Sequence, residues 1–185
     1  MPAPAKVSDD KVIAAARKRI ERHGVAALSM QAVADDVGVR APSLYKRFAD
    51  RAALLGAVQR GLFAELGRRL DDAGAGPDPA RALEAVGQAY RAFARARPHL
   101  YTLMFATDVP HDAAGDEARR AAAQPIVARL VEWVGRERAL PTARVLTAFV
   151  HGFVSMELAG AFRLGGDVDS AFALGLQLLL SSFGG

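Results

Sequence analysis

The stretch SMQAVADDVGVRAPSLYKRF, residues 29–48, decides how this chain reads. Ser29 is a strong helix N-cap, and Val33 and Val37 follow at helical spacing. Gly38 ends that helix in a turn where a positive φ suits glycine. Pro42 fits the first turn of a second, short helix over residues 42–48, where no backbone donor is missed. Ala34 is small where two helices must cross closely. Val33, Val37, Val39 and Leu44 are spaced to form a buried seam. Two short helices joined by a tight turn are the helix-turn-helix layout, in which the second helix enters the major groove of DNA and the first lies across the backbone. The second helix would then expose Arg40, Ala41, Ser43, Lys46 and Arg47, with Tyr45 at its edge, and Pro42 would be structural. A plain helical hairpin would share the seam but has no use for the basic and hydroxyl residues beside it.

Charge points the same way. The net charge is +4. Residues 1–55 hold ten basic side chains against six acidic ones, and the rest of the chain balances at fourteen of each. The whole excess therefore lies in the first third, as suits a segment that meets a polyanion.

Outward from this stretch nearly every segment reads as helix, rich in Ala, Leu and Arg, with no alternating strand pattern and no fixed-period repeat. Ser8 caps a first helix with stripe Val12, Ile13, Ala16 and Ile20, closed by Gly24. Asp50 caps a long fourth helix with stripe Leu54, Leu55, Val58, Leu62, Phe63, Leu66 and Leu70, and a Gly/Pro segment over residues 73–79 ends it. Further helices are expected over residues 79–97, 98–105, 116–138, 141–164 and 169–183. A loop is expected over 107–115, a kink or break near Pro125, and glycines 165 and 166 at the end of the eighth helix.

At 185 residues the chain is long enough for one domain, or for a small one and a larger one. With 51% apolar residues it can build a real core. Cysteine is absent, which excludes disulfides and thiolate metal sites and fits a reducing cytoplasm. The N-terminus has no secretory apolar run, and no stretch approaches the ~20 apolar residues of a membrane span.

The segment GVRAPSLYKRFADRAALL, residues 38–55, resembles the TetR family of repressors, with a glycine turn, a recognition helix ending in a Tyr-x-His-Phe pattern, then a basic residue and leucine. Tyr45 and Phe48 match. Arg47 stands in place of the usual histidine and Arg51 in place of the usual lysine, both keeping positive character. With the first helix the resemblance covers about residues 8–55. It implies that Ser29, Tyr45 and Arg51 contact phosphate, and that Arg40, Ala41, Ser43 and Lys46, with Arg47 beside them, face the bases. Arginine and lysine most often read guanine, and Ala41 could meet a thymine methyl.

Residues 149–158, FVHGFVSMEL, with residues 90–105, YRAFARARPHLYTLMF, resemble the regulatory domain of one TetR subgroup that carries a Trp-His-Gly signature. His151 and Gly152 match, while Thr147 stands where the tryptophan is expected. The resemblance implies a homodimer in which the last two helices of each subunit form a four-helix bundle. Gly152, Ser155 and Ala159 permit close approach on one helix. Phe172, Leu176 and Leu179, with Leu174 and Leu178, make the last helix apolar on more than one face, so it needs cover on two sides. An effector pocket would draw on Tyr101, Met104, Phe105, Trp133, Phe149, Phe153 and Met156, mostly apolar, which favours a hydrophobic or aromatic ligand.

Two other classes of function fit the sequence less well. An enzyme would have to use His151, which shares a helix face with Ser155 at i, i+4, but neither an oxyanion loop nor a third orienting group accompanies them. The histidines 23, 99, 111 and 151 show no metal spacing. A helical protein–protein interaction module would share the apolar helices but does not need the basic first third. The expectation is an all-α protein with an N-terminal three-helix helix-turn-helix DNA-binding domain (residues 1–55) and a C-terminal helical effector-binding, regulatory and dimerisation domain (residues 56–185). It would be a DNA-binding transcriptional regulator, a repressor released from a pseudo-palindromic operator by a small hydrophobic effector. Its expected partners are double-stranded operator DNA, a second copy of itself and that effector, in the cytoplasm and with no membrane. No cofactor, metal or catalytic residue is expected.

Overall fold

The computed structural model describes residues 7–107, 109 and 112–184. Histidine 111 and part of the loop expected over 107–115 lie outside the described residues. Among those described, the chain is all-α and has no strand. The helices are α1 (Asp9–His23), α2 (Met30–Val37), α3 (Ala41–Tyr45), α4 (Arg51–Ala73), α5 (Pro79–Ala96), α6 (Pro98–Met104), α7 (Ala113–Val134), α8 (Arg136–Leu158) and α9 (Val168–Phe183). A 3-10 turn, Val25–Ala27, links α1 to α2. No helix among the described residues is long and apolar enough to cross a membrane.

The caps expected from sequence are in place. Ser8 accepts from the Lys11 N–H, Ser29 from Ala32 at 3.1 Å and Asp50 from Ala53 at 2.7 Å. Several boundaries differ from expectation. α3 stops at Tyr45 rather than Phe48, although Phe48 still folds under it, its N–H donating to the Leu44 carbonyl. α7 runs unbroken through Pro125, because proline's fixed φ is a helical φ and costs mainly one hydrogen bond. The interruption lies instead at Gly135, φ 81°. α8 therefore starts earlier, at Arg136, with Pro141 inside it, and ends earlier, at Leu158. There Gly160 (φ 65°) closes the helix, with the Gly160 N–H on the Glu157 carbonyl and the Ala161 N–H on that of Met156. Glycines 165 and 166 fall in the linker that follows.

The chain divides into two compact units. One comprises the residues up to Phe63 together with Arg97–Ala118, the other Ala64–Ala96 together with the residues from Arg119 on. In the first, Val12, Ala16 and Ile20 of α1 are buried with Val33, Ala34, Leu44, Leu54, Val58 and Leu62. α6 belongs to this unit. It packs on α1, and Arg97 just before it pairs with Glu21 at 3.5 Å. In the second unit α5, α8 and α9 pack on one another, burying Leu83, Val86, Phe93, Leu146, Val150, Val154, Phe172 and Leu176.

Candidate nucleic-acid interface

The α2–turn–α3 segment is fixed from both sides. Gly38 adopts φ 73°, ψ 33°, the left-handed conformation that glycine takes without a Cβ penalty. Its N–H donates to the Asp35 carbonyl and the Val39 N–H to the Ala34 carbonyl, which satisfies the end of α2 and turns the chain sharply into α3. Leu44 and Phe48 are buried and anchor α3 from below. This leaves Arg40, Ser43, Tyr45 and Lys46 exposed and Ala41 half-exposed, on a helix too short to be stable without that anchoring. Tyr45 is 53% exposed, unusual for a large aromatic on a packed helix. Ser29, also exposed, sits at the N-terminus of α2, where free backbone donors favour an anion.

Two of the basic residues singled out by sequence are held inside the unit. Arg47 is half-buried and pairs with Asp9 at the start of α1. Arg51 donates from Nε to the Leu28 carbonyl at 2.9 Å and from Nη2 to the Val25 carbonyl at 2.7 Å. Its guanidinium thereby ties the start of α4 to the connection between α1 and α2. A third brace was not foreseen. Arg19 donates from Nε and Nη2 to both carboxylate oxygens of Asp36 at 2.8 Å, and Nη2 also reaches the Ala32 carbonyl at 3.3 Å. The hydrogen bond from Arg19 holds the Asp36 carboxyl below its ordinary range.

Known proteins carry the same two parts. A family model described as "Bacterial regulatory proteins, tetR family" matches residues 12–58, and one described as "Tetracyclin repressor-like, C-terminal domain" matches residues 83–179. The chain belongs to the TetR family. The HTH-type transcriptional regulator Rv0681 of Mycobacterium tuberculosis, itself uncharacterised, is 30% identical over 173 residues, spanning 90% of this chain and 76% of that protein. A Rhodococcus sp. RHA1 protein of unknown function has a similar structure over the full length of both chains, with TM-score 0.84 and 26% identity. A TetR variant of Acinetobacter baumannii AYE, solved in complex with minocycline, matches over 96% of each chain with TM-score 0.71 and 24% identity, a likeness of fold. As a TetR-family protein this chain is a DNA-binding transcriptional regulator.

The seven effector-pocket candidates of this TetR chain fall into two groups. Tyr101, Met104 and Phe105 lie in the first unit, where Tyr101 and Met104 are buried and Phe105 is exposed beside Tyr101 (ring centroids 5.2 Å apart) and Phe63 (6.2 Å). Trp133, Phe149, Phe153 and Met156 lie in the second. Trp133 meets Phe183 edge-on at 6.3 Å, away from the others' rings. Phe149 and Phe153 join Phe172 and Phe162 in one aromatic cluster, with centroids 4.7–6.0 Å apart. Met156 points out of the unit and is exposed.

Beside that cluster lies a group that sequence reading missed. Arg91, 4% exposed, donates to both carboxylate oxygens of Glu157 (2.8 and 2.7 Å) and to Asp169 at 2.7 Å, with its guanidinium 4.8 Å from the Phe172 ring centroid. It joins α5 to α8 and α9. An arginine next to the apolar Tyr90 on a core helix was the available signal.

Of the dimer-face candidates, Gly152 and Ala159 are exposed, Ser155 and Leu179 half-buried. Phe172 and Leu176 are fully buried within the unit. They point into the chain's own core because α9 lies on α5 and α8, so these two do not form an outer face. The open face of α9 is Leu174 (56% exposed) and Leu178 (61%). On α8, exposed Val145, Gly152, Met156 and Ala159 share a stripe at helical spacing.

Proposed function

We propose that this regulator is a homodimeric repressor that reads a pseudo-palindromic operator and is released from it by a small apolar effector. The DNA-binding domain would be residues 1–55, the effector-binding and dimerisation domain residues 56–185, and the place of action the cytoplasm, where operator DNA is. The observation that carries the reading is α3, a helix anchored by Leu44 and Phe48 that turns Arg40, Ser43, Tyr45 and Lys46 outward. Ala41, Arg40, Ser43 and Lys46 would meet base edges, and Ser29 and Tyr45 phosphates. Arg47 and Arg51 would act mainly by holding the motif in shape.

The second copy would cover the stripe of Val145, Gly152, Met156 and Ala159 on α8 and of Leu174 and Leu178 on α9. Apolar side chains this exposed on two adjacent helices call for a cover. A two-fold dimer would present two recognition helices to major grooves about 34–36 Å apart, or a multiple of that. The effector would bind at the half-buried Phe149 and Phe153 of the C-terminal unit, a site suited to an aromatic or hydrophobic molecule. That a TetR variant of similar fold was solved in complex with minocycline supports a small-molecule ligand for this chain. A ligand that prefers the form unable to hold DNA lowers operator affinity by linkage, and α4, continuous through both units, is the element that would carry the change.

The test is selection from a random duplex library at fixed moderate salt, followed by sequencing. An enriched inverted repeat supports a dimeric operator-reader. Binding without enrichment would remove the operator. A thermal-shift screen of apolar compounds, repeated on operator-bound protein, tests release.

A further inference from the structure

Between α1 and the C-terminal half of α2 lies an open trough of about 470 Å³, lined by Lys11, Ala14, Ala15, Lys18, Arg19, Arg22, His23, Asp36 and Val37. Its only acid, Asp36, is neutralised by the bidentate fork from Arg19. Lys11, Lys18, Arg22 and His23 are exposed and make no ion pair among the described residues. Lys11, Lys18 and Arg22 recur at i, i+7 and i+11, so they stand in one row along α1. From first to last the row spans about 16 Å of helix axis. That is close to the length of five base steps along one DNA strand, at about 3.4 Å each. Lys18 and Arg22 lie near enough to Asp36 to help the Arg19 hydrogen bond hold it ionised.

The position matters as much as the charge. Asp36 and Val37 immediately precede the Gly38 turn that leads into α3, so the trough opens on the α1 side of the same motif whose α3 faces the bases. None of its three unpaired cations, Lys11, Lys18 and Arg22, belongs to the face expected to read sequence.

We propose that this α1/α2 trough is a second, sequence-independent DNA-backbone site, taking phosphodiester groups of the duplex that flanks the half-site. The proposal rests on DNA binding itself. It enlarges the contacted duplex beyond what the recognition helix touches and adds affinity without adding sequence preference.

The test is fluorescence anisotropy of the full chain on random-sequence duplexes, one short and one long, across a salt series. The variant is Lys18→Gln/Arg22→Gln, and the charge-matched control is Arg68→Gln/Arg144→Gln, two exposed arginines outside the DNA-binding motif. The side chains changed are exposed, and circular dichroism with thermal melting checks that the fold is kept. On the long duplex, the slope of log affinity against log salt should become shallower in the variant by about 1.8 per bound protomer, two phosphates at about 0.9 each, or about 3.6 for a bound dimer. It should stay unchanged in the control, and the variant's loss should shrink on the short duplex. Equal slopes for variant and wild type overturn the proposal, and so does an equal loss in the control. Thermal stabilisation by inorganic phosphate that the variant abolishes, with an unaltered DNA slope, would also overturn it in favour of a small-anion site. Absence of any salt-dependent DNA binding by the wild type would instead defeat the DNA-binding reading on which it rests.

Discussion

The side-chain amide of Gln59 donates to the carbonyl of Met104, and to that of Leu103, each at 3.1 Å. A buried glutamine in the middle of α4 thereby closes the C-terminal end of α6, where helix carbonyls run out of partners. Gln59→Leu keeps the volume and removes the donor, taking this partner from the Met104 carbonyl while that of Leu103 keeps the Ala106 N–H, at a cost of about 1–3 kcal/mol. The urea midpoint should fall with an unchanged m-value. Gln59→Glu should fall further, since a carboxylate cannot donate to a carbonyl and would face two of them. If both variants match the wild type, the bond contributes nothing to stability.

Gly175 of α9 lies under the ring of Phe149 from α8. A Cβ at this glycine would come within 2.5 Å of the ring's Cζ and 2.8 Å of Cε2. Gly175→Ala raises helix propensity, which alone favours the variant by up to about 1 kcal/mol. The clash should win, because the ring is already packed against Phe153 and Phe172 and overpacking costs about 1–3 kcal/mol. Thermal melting of Gly175→Ala should show a net loss. Adding Phe149→Leu should recover part of it, whereas two independent, additive losses would show that the ring is not the obstacle.

The contrast between these interactions explains what the sequence could and could not disclose. Capping residues and the glycine turn act on neighbours a few positions away, so Ser8, Ser29, Gly38 and Asp50 announced their roles directly. The exposed side of α3 was legible for the same reason, because Leu44 marks its buried side within a few residues. Gln59 with Met104, Arg91 with Glu157 and Asp169, and Arg19 with Asp36 join positions far apart in the chain, and nothing in local spacing pairs them. At Pro125 the sequence could not choose between a kink and a break, and α7 does not break there, because packing can hold a helix through one missing hydrogen bond. Phe172 and Leu176 were placed on an outer face because periodicity shows that α9 is apolar on two sides without showing which side the chain itself covers.

His151, half-buried on α8, has its pKa pushed below the ordinary histidine value by burial alone. The unfolded chain therefore takes up this proton at a higher pH than the folded one. Stability is complete above about pH 6.5, the unfolded value, and declines as pH falls below it towards the folded value. Melting temperature should thus drop between about pH 7 and about pH 5, and His151→Gln should flatten that segment of the profile. A decline of the same size in the variant would assign the effect to other groups.

Arg40, Tyr45 and Arg51 stand at three distinct places in the DNA-binding motif, and one binding experiment separates their parts. Arg40 is exposed at the N-cap of α3, where a side chain can reach base edges, so Arg40→Ala should relax sequence preference in the selected pool. Losing a good base contact costs about 1–3 kcal/mol against the preferred site and little against others. Tyr45→Phe removes one hydroxyl from an exposed ring, and should weaken all duplexes alike while the preferred sequence stays the same. Arg51→Ala removes the fork onto the carbonyls of Val25 and Leu28, so it should lower the urea midpoint and reduce affinity for every sequence. Its salt slope should remain that of the wild type, because the side chain is spent inside the protein. A slope shallower by about 0.9 per bound protomer would mean that Arg51 neutralises a phosphate after all. Unchanged sequence preference in Arg40→Ala, together with unchanged affinity in Tyr45→Phe, would show that α3 is not the reading element.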